Sequence, residues 1–482
     1  MSFNTRMRYY KDDELQLTKD RIYELLGKRG ARIDHKLILD LFHQEGAIVD
    51  FDSKIVKFPR AFLEEQVARA PKEFTLVGKK GKHPMKFPHP EGLFYTRTCT
   101  GGQNWLDPET NDFHRVTQDN LAYWARLAQK LEHIDYIPYL VVNDVPSATA
   151  DIHSLRIMLE NVEKHIWIQP YVGESVEYLI QLLVAAAGSK EALKENPLAS
   201  FVACSLSPFD FKWMDMEIIY QAATHGCPLQ TCSLPGSGAT GPFTAPGTVM
   251  LSAAENLVML SAAQVVNPGI PVVATSLQFS ADMRTGRSLQ SSVESLRQSA
   301  LFVQLMFDGF GLPGHTYGSG SDSPDIDGQG MVERAMRAVL MAGYGAQVLG
   351  GAGQLETACS VSPIALAVDN EIFGMTKAVL AKMEFDDDQM AFKELMEIKP
   401  GGQFLTSTHT FKHCREVAVP INFTRSPRDS WAIEGSRGLN ERVQKYLREI
   451  MADAGPIELA EGVKREMEGI TALADERLCT GD

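Results

Sequence analysis

Residues 228–279 read PLQTCSLPGSGATGPFTAPGTVMLSAAENLVMLSAAQVVNPGIPVVATSLQF. Two short runs of small and branched residues, PLQTCSL (228–234) and PVVATSLQF (271–279), enclose one long apolar helix pattern, APGTVMLSAAENLVMLSAAQVV (245–266). Neither short run alternates apolar with polar residues. A strand buried on both faces has no solvent side, so it needs no alternation, and this is how strands of parallel sheets read. Parallel neighbours require a long crossover connection, and the helix supplies it. The stretch is a βαβ unit.

The unit recurs along the chain. Strand-like runs of the same kind occur at YTRTCTG (95–101), IPYLVVN (137–143), HIWIQP (165–170), SFVACSL (200–206), FGLPGHTY (310–317) and AQVLGG (346–351). Helix patterns such as TQDNLAYWARLAQKL, ESVEYLIQLLVAAAG and FDFKWMDMEIIYQAATHG lie between them. Eight strands alternating with helices is the count of a (β/α)8 TIM barrel. The competing open, doubly wound sheet does not need eight units and usually carries G-x-G-x-x-G at its first helix, which is absent. The barrel is expected over residues 91–385. Before it, residues 1–90 read as a small α+β N-terminal region. Helical spacing occurs at 14–28 and 35–46, a hairpin pattern turns at Asp52-Ser53, PRAFLEEQVARAP is a helix and EFTLVGKK a strand. After the acidic FDDDQ (385–389), residues 386–482 read as a helical C-terminal extension, with 428–455 as one charged amphipathic helix.

Composition narrows the function. The net charge is −14, which argues against a nucleic-acid or anionic-membrane surface. Seven cysteines without a close framework read as reduced thiols. The N-terminus lacks the apolar core of a signal peptide, and no apolar run approaches a membrane-spanning length free of charge. A cytoplasmic protein is expected.

In a barrel the chemistry lies in the loops leaving the C-terminal ends of the strands. Three of these are rich in glycine: SLPGSGATGPFTAP (233–246), GLPGHTYGSGSDSPDIDGQG (311–330) and LGGAGQLE (349–356). Gly236, Gly238, Gly318, Gly320, Gly350 and Gly351 would leave a broad mouth where backbone comes close to a ligand. A phosphate reading of these loops lacks a lysine or a Walker pattern. A metal reading would use His225, Cys227 and Cys232, but an offset of five along a strand points the two thiols to opposite faces, so no metal is expected. Aromatic residues cluster at the strand ends: Phe94, Tyr95 and Trp105 around the first, Tyr171 after the third, Phe279 at the sixth and Tyr317 at the seventh. Rings so placed suit a quaternary ammonium cation, and the alternative is rim packing. His315 lies two residues before Tyr317, on the same face of its strand, where it would reach a substrate carboxylate. His315 with Asp322, Asp325 and Asp327 would also make a base with an orienting carboxylate, although Asp327 precedes an apolar helix and reads as its N-cap.

LILDLFHQEGAIVDFDSKIVKFPRAFLEEQVARAPKEFTLVGK (37–79), GSGSDSPDIDGQ (318–329), LGGAGQLE and GGQFLTSTHTFKH (401–413) together resemble the trimethylamine methyltransferase superfamily over nearly the whole chain. The resemblance implies a (β/α)8 barrel. Founding members hold pyrrolysine near the loop after strand seven, here within 316–325. This sequence contains only standard residues and is similar to the branch without pyrrolysine. That branch moves a methyl group from a quaternary amine to the Co(I) of a corrinoid protein. Glycine betaine, giving dimethylglycine, is the foremost expected substrate, with proline betaine and carnitine as others. No tightly bound cofactor is implied: the cobalt corrinoid comes with the partner protein, its flat ring covering the barrel mouth at the loops of Gly236, Gly238, Gly318, Gly320, Gly350 and Gly351, and a homo-oligomer is expected. Standing alternatives are a phosphate-ligand barrel lyase, a zinc-dependent methyltransferase and a betaine-binding protein without turnover.

Overall fold

A computed structural model of the chain describes residues 6–479. Eight parallel strands close into a barrel: β1 (Tyr95–Thr98), β2 (Tyr136–Pro138), β3 (His165–Ile168), β4 (Ala199–Cys204), β5 (Leu229–Ser233), β6 (Val272–Ser276), β7 (Gly314–Tyr317) and β8 (Val348–Ala352). They pair in sequence order, with β8 returning to β1. All eight lie within the runs read from the sequence, or within one residue of them. Their neighbours are buried on both sides, which is why the runs show no alternation.

Two apolar layers result. The outer one lies between strands and helices. The inner one fills the barrel and includes Tyr95, Tyr136, Trp167, Val202, Cys232, Val273, Tyr317 and Val348. The antiparallel hairpin Phe74–Leu76 and Met85–Phe87 adds Leu76, Met85 and Phe87 to the inner layer. It sits against the first residues of the strands. The Tyr95 hydroxyl donates to the carbonyl of Lys86 at 3.1 Å, and His165 Nδ1 lies 2.7 Å from the carbonyl of Val77. The hairpin therefore stoppers the N-terminal end of the barrel and leaves the other end for chemistry.

The long helix Ala245–Val266 is wrapped by the N-terminal helices Asp12–Lys28, Lys36–Gln44 and Arg60–Arg69. It is apolar all round because it is covered all round. Its length and composition would suffice to cross a membrane, but it is almost wholly buried within the protein. The short strand Ala31–Ile33 pairs in parallel with Asp210–Phe211, just beyond β4, and ties the N-terminal region to the barrel.

At the other end, 428–455 forms two helices rather than the single one expected: Arg428–Ile433 and Leu439–Met451. Gly435 and Ser436 take φ of 94° and 51° between them. Left-handed backbone at two successive residues ends a right-handed helix. Leu439–Met451 packs on Pro363–Leu380 and Gln118–Lys130, and the final helix, Glu461–Leu478, packs on Val176–Ala187 and Ala150–Asn161.

Candidate active site

The loops at the C-terminal end of the barrel form two small sheets. Gly236–Ser237, Phe279–Ala281 and Ser288–Leu289 make one, and Asn104–Leu106, Phe113–Arg115, Gln354–Leu355 and Ser360–Val361 the other. Asp322, in the loop after β7, joins them. Its carboxylate accepts from the backbone N–H of Gln290 at 3.0 Å and of Ser291 at 2.8 Å, and from the Thr357 hydroxyl at 2.8 Å. Its oxygens are thus used in holding loops, and it does not orient His315. Asp327 caps its helix by accepting from the Gly330 N–H at 2.8 Å.

The structure divides the predicted aromatic residues. Tyr317 and Phe279 meet edge to face at 6.1 Å, Tyr317 in the inner layer and Phe279 half-buried above it. Cys204 and Leu234, also half-buried, complete this rim at the ends of β4 and β5. Tyr95, by contrast, is the first residue of β1, so it lies at the stoppered end. Its ring packs 5.1 Å from Phe87 and 4.8 Å from His89. Burial raises its phenol to about 12. Trp105 is buried in the outer layer against Tyr123 and Trp124. Tyr171 packs there too, 5.8 Å from Tyr139, with its backbone N–H on Asp151. Of the expected cage, Tyr317 and Phe279 remain at the mouth.

His315 points into the barrel, as its spacing from Tyr317 requires, but both ring nitrogens are engaged. Nε2 accepts from Arg97 Nε at 2.9 Å, and Nδ1 lies 3.1 Å from the Thr275 hydroxyl. Arginine can only donate, so Nε2 is unprotonated and the imidazole is neutral. Burial and the neighbouring guanidinium hold its pKa well below the usual value. His315 therefore has no free N–H for a substrate carboxylate, contrary to the role expected from the sequence.

Arg97 is the residue that sequence reasoning missed. It is fully buried, with its guanidinium 3.9 Å from the centre of the Trp167 ring. Nη1 donates to the Thr98 carbonyl at 2.8 Å, and Nη2 has no hydrogen-bond partner. The signal was present: an arginine at an inward position, two residues from Tyr95, in a strand buried on both faces.

The glycines have a nearer reason than a ligand. A Cβ on Gly350 would come within 2.7 Å of Arg97 Cζ and 2.8 Å of His315 Nε2. One on Gly318 would strike the Leu349 side chain at 2.3 Å, and one on Gly320 the Gln354 amide at 2.1 Å. Gly351 is crowded by Gln354 and the Ser319 carbonyl. These four are buried against their own chain and offer no surface to a corrinoid. In the loop after β5, Gly236 is half-buried, while Gly238 is exposed beside Phe243 and Met283, which are themselves exposed.

Cys232 faces the inner layer and Cys227 the outer, so the two thiols diverge. Cys232 instead lies in register with Cys204 on the adjacent strand, and this contact and burial push the Cys204 thiol well up. Among the described residues no group of three or more His, Cys, Asp or Glu is placed to hold a metal ion.

The family model for trimethylamine methyltransferase (MTTB) matches residues 3–476. The chain belongs to this family. The trimethylamine methyltransferase MttB of Desulfitobacterium hafniense strain DCB-2 is 26% identical over 468 residues, covering 97% of this chain and 94% of the relative. A glycine betaine methyltransferase of Desulfitobacterium hafniense strain Y51 is 27% identical, covering 96% of each. Among solved structures, the monomethylamine methyltransferase of Methanosarcina barkeri superposes with a TM-score of 0.56 at 11% identity, over 95% of this chain and 91% of that one. That likeness is one of fold. As a member of the trimethylamine methyltransferase family the chain is a methyltransferase.

Proposed function

We propose that the chain transfers a methyl group from a quaternary amine, foremost glycine betaine, to the Co(I) of a corrinoid protein. The observation that carries this reading is the Tyr317–Phe279 corner at the C-terminal end of a barrel whose other end is stoppered. Two ring faces in a water-poor mouth attract a trimethylammonium group by their quadrupoles. The corrinoid, delivered by its own protein, supplies the nucleophile. The C–N bond breaks with its electron pair on nitrogen, so the amine leaves neutral and needs no proton. This suits a wall that presents a neutral histidine and high-pKa phenols rather than an acid. The chain's task is to hold one N–methyl bond in line, out of water.

The glycine betaine methyltransferase relative supports this substrate, and the absence of pyrrolysine from the sequence is consistent with it. The reading includes a cytoplasmic location and a homo-oligomer. Met383, Phe385, Met396, Leu405, Phe411 and Ile433 all stand exposed within one C-terminal segment, and a second copy of the chain would cover them.

The test mixes purified protein, Co(I) corrinoid and one betaine at a time, and follows the cobalt spectrum together with the amine product. Loss of the Co(I) absorbance with matching dimethylglycine is expected. No change with glycine betaine, proline betaine or carnitine would exclude the reading. Tyr317→Leu is expected to weaken betaine binding by about 1–2 kcal/mol, the size of a desolvated cation–π contact. Tyr95→Leu, at the stoppered end, should lower the melting temperature and leave affinity unchanged.

A further inference from the structure

We infer that Arg97 anchors a substrate carboxylate, so that the site selects zwitterionic betaines over simple quaternary ammonium ions such as choline. The inference rests on the quaternary-amine reading above and narrows it. Arg97 carries a charge into the centre of the barrel with no exposed surface. No carboxylate among the described residues lies within ion-pair distance of it, and the ionisable groups acting on it most strongly are phenols and thiols. Its hydrogen-bond acceptors, His315 Nε2 and the Thr98 carbonyl, are both neutral. A buried cation without a counter-ion carries a desolvation cost that a bound anion offsets.

The geometry says where that anion belongs. Arg97 Cζ and Nη2 lie against Gly350, which pairs in register with Tyr317. The guanidinium and the Tyr317–Phe279 corner thus occupy the same layer of the barrel. Nη2 is the guanidinium nitrogen left without a partner, and His315 has no N–H to spare. The Trp167 ring facing Arg97 is already covered by that guanidinium, and the Arg337 guanidinium lies 5.8 Å from the centre of the Tyr317 ring, which leaves Phe279 and the face of Tyr317 turned from Arg337 for the ammonium group. A lone cation entering this layer meets a like charge. A betaine places its carboxylate on Arg97 and its trimethylammonium on the rings, and both interactions are favourable at once.

The test is a calorimetric titration of the full chain with four probes: glycine betaine, choline, tetramethylammonium and tert-butylacetate. The last is the shape of glycine betaine with carbon in place of the charged nitrogen. Choline and tetramethylammonium are expected to bind at least about tenfold more weakly than glycine betaine, the usual reach of one charge-assisted hydrogen bond. The tert-butylacetate anion is expected to bind measurably. Arg97→Gln should weaken both carboxylate probes by about tenfold or more and leave choline unchanged or tighter, and Arg97→Lys should restore part of the loss. Choline binding as tightly as betaine in the parent protein would overturn the inference without any variant. So would a folded Arg97→Gln protein that binds betaine like the parent. Because tert-butylacetate has no N-methyl group to give, its Arg97-dependent binding stands even if methyl transfer fails, and the two readings can be lost separately.

Discussion

His315 illustrates how much a single proton decides at the residue scale. Its donor from Arg97 makes it neutral, and its partner Thr275 takes its other nitrogen, so it braces the guanidinium rather than meeting a ligand. His165 is neutral for a different reason: burial against the hairpin lowers it to about 4. An unfolded histidine titrates near 6.5. As pH falls below that value the unfolded chain binds protons that buried His165 and His315 refuse, so stability is complete above about pH 6.5 and is lost on acidification. For His165 the loss between pH 7 and pH 4 is about 3 kcal/mol. Urea midpoints across this range should fall less steeply in His165→Leu than in the parent. Parallel curves would mean that His165 is protonated in the folded state. The inward direction of His315 was legible from a two-residue spacing. Its protonation was not, because that depends on a donor 218 positions away.

At the scale of elements, Glu255 is the instructive case. It is the one charge in an otherwise uncharged helix, Ala245–Val266, and it is fully buried. Its carboxylate accepts from the hydroxyls of Ser205 and Ser233 at 2.6 Å and of Ser207 at 2.8 Å, and from the Phe209 N–H at 2.8 Å. One side chain thus holds β5 and the loop leaving β4. Arg334 and Asp369 do the same for the loop leaving β8. They form a fully buried ion pair that also bonds the Gln354 carbonyl and the Gly353 N–H. Replacing Glu255 with Ala strands four donors in a dry layer. The expected cost is about 3 kcal/mol or more, together with faster proteolysis near residues 205–210. Equal urea midpoints for variant and parent would show that the loops hold without it. The helix itself was visible in sequence from its length and apolar character. The reason for its single charge lay in three serines on strands or loops far along the chain.

For the whole molecule, the barrel has a direction set by its ends. The hairpin at Phe74–Phe87 closes one, and two small sheets frame the other. Tyr95 and Tyr317 sit on strands of the same barrel and yet face opposite ends. Outside the barrel, Phe385, Leu405, Phe411 and Ile433 are each 78–87% exposed. A second copy of the chain covering this segment would bury them. Analytical ultracentrifugation is expected to find a multimer at micromolar concentration, and Phe411→Asp is expected to weaken it. A monomeric parent protein would remove the homo-oligomer from the reading.

The sequence by itself determined the barrel. Eight strands without alternation, joined by helices of crossover length, have few other ways to bury both faces of every strand, and this is a local property of each run. It also placed His315 and Tyr317 on one inward face and Asp327 at a helix start, because strand and cap geometry reach only a few residues. Tertiary structure decided which aromatic residues share the mouth. Trp105 and Tyr171 follow barrel strands as Phe279 does, but their rings turn outward into the layer beneath the helices. It also decided that the glycines of β8 make room for Arg97 and His315. Such choices depend on side chains hundreds of residues apart meeting in one dry layer. Volume and charge must balance there across the whole barrel, and no stretch of sequence contains that sum.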